Sequence, residues 1–435
     1  MSNPIELEIV DLSHDGRGVG RIDGKAVFVS GALAGERVRA QMKQRKRSFD
    51  QAELLEVLRA SPERVEPGCP HFGRCGGCAL QHLAPAAQIA AKQRVLLENL
   101  ERIGQLRPQR VLPPLTASIW GYRRKARLGV KYVRAKERVL VGFREMADPR
   151  FIADIDSCAV LVPQVGERLG DLARLIEGLS ARERIAQIEV AAGDDSTALV
   201  FRNLDPLSAS DQAALVAFGK LHGLGIVLQP GGVDSLQVLW PESLALRFAI
   251  PAADVSLDFR PLDFVQINAE LNQQMIAQAL ALLDPKPTDR VLDLFCGLGN
   301  FTLPLARRAR QVVGVEGDPG LVQRARENAS RNGIENAHFF AADLAKPLAA
   351  ESWMAEQFDL ILLDPPRTGA DAVIAQLPTR GVRRIVYVSC HPGSLARDAA
   401  LLVRDHGFTL VAAGAMDMFP HTAHVESIAV FERVS

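Results

Sequence analysis

Long apolar runs are missing from this sequence. No uninterrupted stretch approaches the roughly 20 residues that a membrane-crossing helix needs, and Met1 to Leu12 is broken by Glu6, Glu8 and Asp11, unlike a secretory leader. A soluble, cytoplasmic protein is expected. Cysteine is scarce, with six in 435 residues: Cys69, Cys75 and Cys78 lie together, while Cys158, Cys296 and Cys390 stand apart. So uneven a set in a reducing compartment excludes a disulfide framework. Net charge is missing too, with 51 Lys and Arg against 51 Asp and Glu. The balance hides a division, because residues 1–150 hold 27 cations against 16 anions and the remainder 24 against 35. A basic front end fits a polyanion partner, with a chance solvated face as the bland reading. The length suggests about three domains.

Residues 4–58 run in short alternating stretches such as Ile5-Glu6-Leu7-Glu8-Ile9-Val10 and Ala26-Val27-Phe28-Val29. Turn residues separate them, notably Asp15-Gly16-Arg17-Gly18. This pattern predicts a small OB-like β-barrel of about five strands over residues 1–61. The run Lys43-Gln44-Arg45-Lys46-Arg47 with Phe49 offers charge and a stacking face for single-stranded RNA, or else a solvated hairpin. The glycine-rich first turn and basic later hairpin resemble the TRAM domain of RNA-modifying enzymes.

Cys69, Cys75 and Cys78 fall in a glycine-rich stretch where thiolates can converge. With Cys158 as a fourth, they suit a [4Fe-4S] cluster or a tetrahedral zinc. The Cys-x5-Cys-x2-Cys spacing departs from common zinc knuckles, and the cluster, in a structural role, is the expectation. A helix is expected over Gln88 to Ile103. Arg107 to Arg138 then holds ten Lys and Arg against the single acid Glu137, interleaved with Trp120, Tyr122 and Tyr132. Its alternation predicts strands with a cationic side facing RNA phosphates. Residues 62–260 are expected to form a central α+β domain.

Residues 261–435 read as a Rossmann-like α/β domain, with a strand, a glycine loop and a helix repeated. Val291 to Phe295 leads into Cys296-Gly297-Leu298-Gly299-Asn300, and a second strand ends at Glu316, placed for ribose hydroxyls. A dinucleotide fingerprint would want glycine where Thr302 stands, so the loop suits S-adenosylmethionine instead. Further strands end at Asp343, near the adenine, and at Asp364-Pro365-Pro366-Arg367. Ile385 to Val388 carries Cys390 to a sheet edge, where ligands bind in open α/β folds. Cys390 is the candidate nucleophile.

Gln266, the Asp-Leu-Phe-Cys-Gly-Leu-Gly-Asn-Phe stretch at 293–301, Asp-Pro-Pro-Arg at 364–367, Tyr-Val-Ser-Cys at 387–390 and His424-Val425-Glu426-Ser427 together resemble the RNA uracil-5-methyltransferases. With the barrel and the four cysteines, the resemblance spans essentially the whole chain, and it is strongest to a member acting on 23S ribosomal RNA. It implies S-adenosylmethionine contacts at Gln266, Phe295, Asn300, Glu316, Asp343 and Asp364, a thiolate at Cys390 and a base at Glu426. A [4Fe-4S] cluster on Cys69, Cys75, Cys78 and Cys158 follows as well. Cys296 is expected to be a small neighbour of the cofactor, His391 to lack a direct role, and His421 and His424 to touch substrate or pack loops. No obligate protein partner is evident and a monomer is expected. Rival readings are methylation of another RNA or of an exocyclic nitrogen, or a non-enzymatic ribosome-assembly factor.

Overall fold

A computed structural model describes residues 4–433. Strands β1 (Ile5–Leu12), β2 (Gly18–Ile22), β3 (Lys25–Ser30), β4 (Arg37–Arg45) and β5 (Phe49–Arg59) close a barrel in the order β1-β2-β3-β5-β4. The alternation seen in sequence sorts its faces: Val27 and Val29 are fully buried while Phe28 between them faces outward.

The chain then joins the carboxyl-terminal sheet before building its middle. Pro85 opens the helix Pro85–Arg102 in its first turn, where a missing N–H costs nothing. That helix packs on the helix Pro392–Arg404, and the short β6 (Arg110–Val111) pairs with a strand of the carboxyl-terminal sheet. Strands β7 (Lys125–Val133), β8 (Arg138–Gly142), β9 (Ile185–Ala192), β10 (Thr197–Asn203), β11 (Leu224–Leu228) and β12 (Gln237–Trp240) form a central sheet in the order β12-β11-β10-β9-β7-β8. A hairpin of β13 (Leu246–Ile250) and β14 (Val255–Phe259) follows.

The carboxyl-terminal sheet comprises β15 (Arg290–Leu294), β16 (Gln311–Glu316), β17 (Ala337–Ala341), β18 (Leu360–Leu363), β19 (Arg384–Ser389), β20 (Phe408–Met416) and β21 (Glu426–Arg433) together with β6. Their order is β17-β16-β15-β18-β19-β21-β20-β6. Helices cover both faces, which explains why these strands are apolar throughout rather than alternating. Strand β21 alone runs against its neighbours β19 and β20. Among the described residues no helix is long and apolar enough to cross a membrane.

Candidate active site

The chain leaves β15 toward β16 on one side and reaches β18 on the other. A crevice therefore opens at the carboxyl ends of β15 and β18, the usual ligand position in such sheets. The loop after β15 is wound tightly: Phe295 takes φ +64°, a left-handed conformation costly for a side chain, and Gly297 and Gly299 follow at +54° and +93°. Nothing lies within 4 Å of where a Cβ on Gly297 would stand, so the loop presents open backbone to a ligand.

Glu316 holds this loop in place. Its carboxylate accepts from Gly297 N at 3.2 Å and from Asp318 N at 3.0 Å. Asn300 exchanges two 3.0 Å hydrogen bonds with Asn272, and Thr302 donates to the buried Asp293 at 2.5 Å. The residue that spoiled a dinucleotide fingerprint thus anchors the loop to its own strand. Burial pushes Asp293 up to about 8 and Asp364 up to about 7. Gln266 is half-buried. Asp343 is exposed at the rim, accepting from Ala345 N and pairing with Lys346. Cys296 is buried in packing, its Sγ 3.0 Å from where a Cβ on Gly314 would stand.

Cys390 and Glu426 meet through strand register. Ser389 at the end of β19 lies opposite Ser427 near the start of the antiparallel β21. Cys390, one residue on, and Glu426, one residue back, therefore project from the same sheet edge. Their electrostatics show the proximity. Burial, then the charges of Glu426 and Asp364, push the Cys390 thiol up to about 11, while Arg367 opposes them. Burial, then Asp364, pushes Glu426 up to about 8, against Arg367 and Lys92. His391 caps the helix Pro392–Arg404, its Nδ1 accepting from Ser394 N at 3.1 Å.

Above this edge opens a cavity of about 630 Å³ whose walls come from distant parts of the chain. Cys390, Arg367 and His424 line its carboxyl-terminal side, Arg123 and Phe143 belong to the middle region, and His14 and Asp15 come from the first turn of the barrel. Arg367 bonds His424 at 3.1 Å. His421 is buried against Trp120, ring centroids 4.2 Å apart, so of the two candidate histidines it packs while His424 lines the cavity. Arg367 entered the sequence argument only as the last residue of the Asp-Pro-Pro-Arg stretch, and Arg123 as one cation among ten. Their shared wall is a long-range fact.

Cys69, Cys75, Cys78 and Cys158 line one smaller cavity with Phe72, Phe143 and Ile155. Burial pushes Cys75 up to about 11 and Cys78 up to about 12, with neighbouring thiols adding to both. Among the described residues, no three Cys, His, Asp or Glu side chains stand as a ready-made site for a single metal ion. The thiols surround a space rather than a point.

The basic segment differs from its sequence reading. Six of its ten cations are spent in ion pairs: Arg107–Glu101, Arg124–Asp194, Arg127–Glu189, Arg134–Glu183, and both Lys136 and Arg138 with Asp154. The acids of residues 151–194 neutralise much of what looked like a phosphate-binding face. On the barrel, Arg17 lies over Phe28 at 4.8 Å, Phe28 meets Phe49 edge-on at 5.4 Å, and Lys46 lies over Phe49 at 5.1 Å. This strip starts beside the turn that lines the cavity.

Residues 248–434 match the model for tRNA (uracil-5-)-methyltransferases, and residues 4–55 match the TRAM domain. The chain is 62% identical to the 23S rRNA (uracil(1939)-C(5))-methyltransferase of Xanthomonas oryzae over 99% of this chain and 97% of that one. It is 60% identical to the corresponding Stenotrophomonas maltophilia protein with the same coverage. In structure it is similar to the tRNA (uracil-54, C5)-methyltransferase of Pyrococcus abyssi, solved with S-adenosyl-L-homocysteine. The TM-score is 0.74 at 22% identity, covering 98% of this chain and all of that one. At that identity the likeness speaks for the fold.

Proposed function

Because the chain belongs to the RNA uracil-5-methyltransferase family, we propose that it methylates carbon 5 of a uracil in 23S ribosomal RNA, at the position 1939 named for its relatives, with Cys390 as nucleophile and Glu426 as base. The observation that carries this reading is the register of β19 and β21, which sets the two side chains at one edge beneath a large cavity. We read residues 1–61 as the RNA-binding barrel, 62–260 as the cysteine-bearing middle and 261–435 as the catalytic unit.

Carbon 5 of uracil is a weak nucleophile. Addition of the Cys390 thiolate to carbon 6 pushes the ring electrons onto carbon 5 and the neighbouring carbonyl. S-adenosylmethionine, when bound, supplies an electrophilic sulfonium methyl group for that carbon. Glu426 then takes the proton from carbon 5, the freed pair restores the 5,6 double bond, and the carbon–sulfur bond breaks to return the thiolate. A carboxyl group raised to about 8 is matched to proton transfer near neutral pH. Arg367 is the cation that favours the Cys390 thiolate. The target base must leave its stack to enter the cavity.

Gln266, Phe295, Asn300, Glu316, Asp343 and Asp364 would hold the cofactor. The open, left-handed backbone at Gly297 and the carboxylate of Glu316 fit such a ligand. Cys69, Cys75, Cys78 and Cys158 would hold a [4Fe-4S] cluster. Four thiols around one cavity support it, and its role would be to tie two distant loops together. Arg123 and the Arg17–Phe28–Phe49–Lys46 strip suit single-stranded RNA leading to the cavity.

Incubation with labelled S-adenosylmethionine and unmodified 23S RNA, followed by nucleoside mass spectrometry, tests the reading. The expected product is 5-methyluridine, absent with Cys390→Ala. Label on an exocyclic nitrogen, or full turnover by that variant, would overturn it.

A further inference from the structure

Lys92 lies far in sequence from every catalytic motif, yet it sits behind the proposed base. On the helix Pro85–Arg102 its side chain is 2% exposed, and Nζ donates to Asp417 Oδ1 at 2.6 Å and to Phe419 O at 2.9 Å. Asp417 is itself 3% exposed, and its backbone N donates to Leu115 O at 2.9 Å. Asp417 directly follows Met416, the cross-strand partner of Glu426. The ion pair therefore grips one end of the loop 417–425, and Glu426 begins the strand at its other end.

Neighbouring side chains reinforce the grip. Gln88, one turn earlier on the helix, accepts from His421 N at 2.9 Å, and Gln93 accepts from Ala415 N at 2.6 Å. Tyr122 donates to Pro420 O at 3.0 Å. These neutral contacts already hold the loop. A fully buried ion pair adds little stability over an apolar pair of the same size, because desolvation offsets the attraction. Its presence here calls for another role, and Glu426, opposite the Met416 that precedes Asp417, feels the ammonium group of Lys92.

We propose that Lys92 is a positioning residue for the elimination half of the reaction: paired with Asp417, it fixes the start of β21 so that the Glu426 carboxylate meets the proton on carbon 5. This rests on reading Glu426 as the base. Lys92 takes no part in the addition of Cys390, so methyl transfer and release of product RNA should separate when it is changed. The other charged or titratable groups facing Lys92, Asp417 and Glu426 are Tyr122, Asp364, Arg367, Cys390, His421 and His424.

Single turnover of the full chain with a 23S RNA fragment and S-adenosylmethionine tests it, following methyl incorporation and, on denaturing gels, the protein–RNA adduct. Lys92→Met keeps the length of the side chain and removes its charge. Methyl incorporation should stay within about threefold, while adduct release slows at least tenfold and its pH dependence moves to higher pH. Lys92→Arg should recover release at least partly. Wild-type release and pH dependence in a folded Lys92→Met protein would overturn the proposal, and so would equal slowing of both steps. Should Lys92→Met unfold, the doubly neutral Lys92→Met/Asp417→Asn protein takes its place, with slow release expected and wild-type release refuting. Glu426→Gln is the control: if it accumulates no adduct, the assignment of the base has failed, whatever Lys92 does.

Discussion

Glu426→Gln should make the protein more stable as it makes it less active, and the size of the gain should depend on pH. The Glu426 carboxyl group is raised from an ordinary 4.5 to about 8, chiefly by burial. Its folded form therefore favours the proton, and the ionised form carries a penalty. Below pH 4.5 both folded and unfolded chains are protonated and the penalty vanishes. It grows as pH rises from there to about 8 and is constant above. The full difference is worth about 5 kcal/mol, of which about 1 is present at pH 5 and about 3 at pH 7. Glutamine keeps the shape and has no charge to bury, so it escapes the pH-dependent part, while any loss from an unpaired amide is the same at every pH. Urea unfolding of both proteins at pH 5, 7 and 9 measures this. The variant should gain about 4 kcal/mol on the wild type between pH 5 and pH 9. A difference flat to within about 0.5 kcal/mol across that range would refute the claim that this carboxyl group is buried against its own ionisation.

Other expectations are simpler to state. Gly314→Ala places a Cβ 2.9 Å from the Phe339 ring and 3.0 Å from Cys296 Sγ, and should cost about 1–3 kcal/mol in thermal or urea unfolding. Arg123→Gln should weaken RNA binding and make its dependence on salt concentration shallower by about one phosphate contact, with S-adenosylmethionine affinity unchanged in calorimetry. Protein purified without oxygen should contain iron and sulfide that Cys78→Ser loses. Stoichiometric zinc without iron in the unaltered protein would sink the cluster assignment.

Local chemistry was legible in the sequence, and distant pairing was not. The glycine loop at 296–299, Glu316 at a strand end and Asp364 before two prolines follow from patterns within a few residues, and the fold keeps them at one crevice. Cys390 was legible for the same reason. Glu426 was named through the family resemblance rather than a local pattern, and it is β21, inserted antiparallel between β19 and β20, that brings it to the same edge. The basic stretch shows another limit. Arg127 stays solvent-facing but has Glu189 of β9 at 3.0 Å, and a count of charges along the chain cannot see a partner on the next strand. Nothing in the helical stretch from Gln88 to Ile103 marks Lys92, because the acid it meets lies 325 residues away.

The place of β21 has a consequence for how the molecule comes into being. Glu426–Arg433 is last in chain order, yet it lies in the interior of the sheet, with β19 on one side and β20 on the other. A growing chain that has emerged as far as β20 already carries Cys390, the proposed nucleophile, but has a slot where β21 belongs. The thiol thus exists before the group that would release it from RNA, and the sheet becomes continuous only as that group arrives. The proposed reactive pair needs β21 in its slot, so removing this strand would open the sheet inside rather than trim its edge.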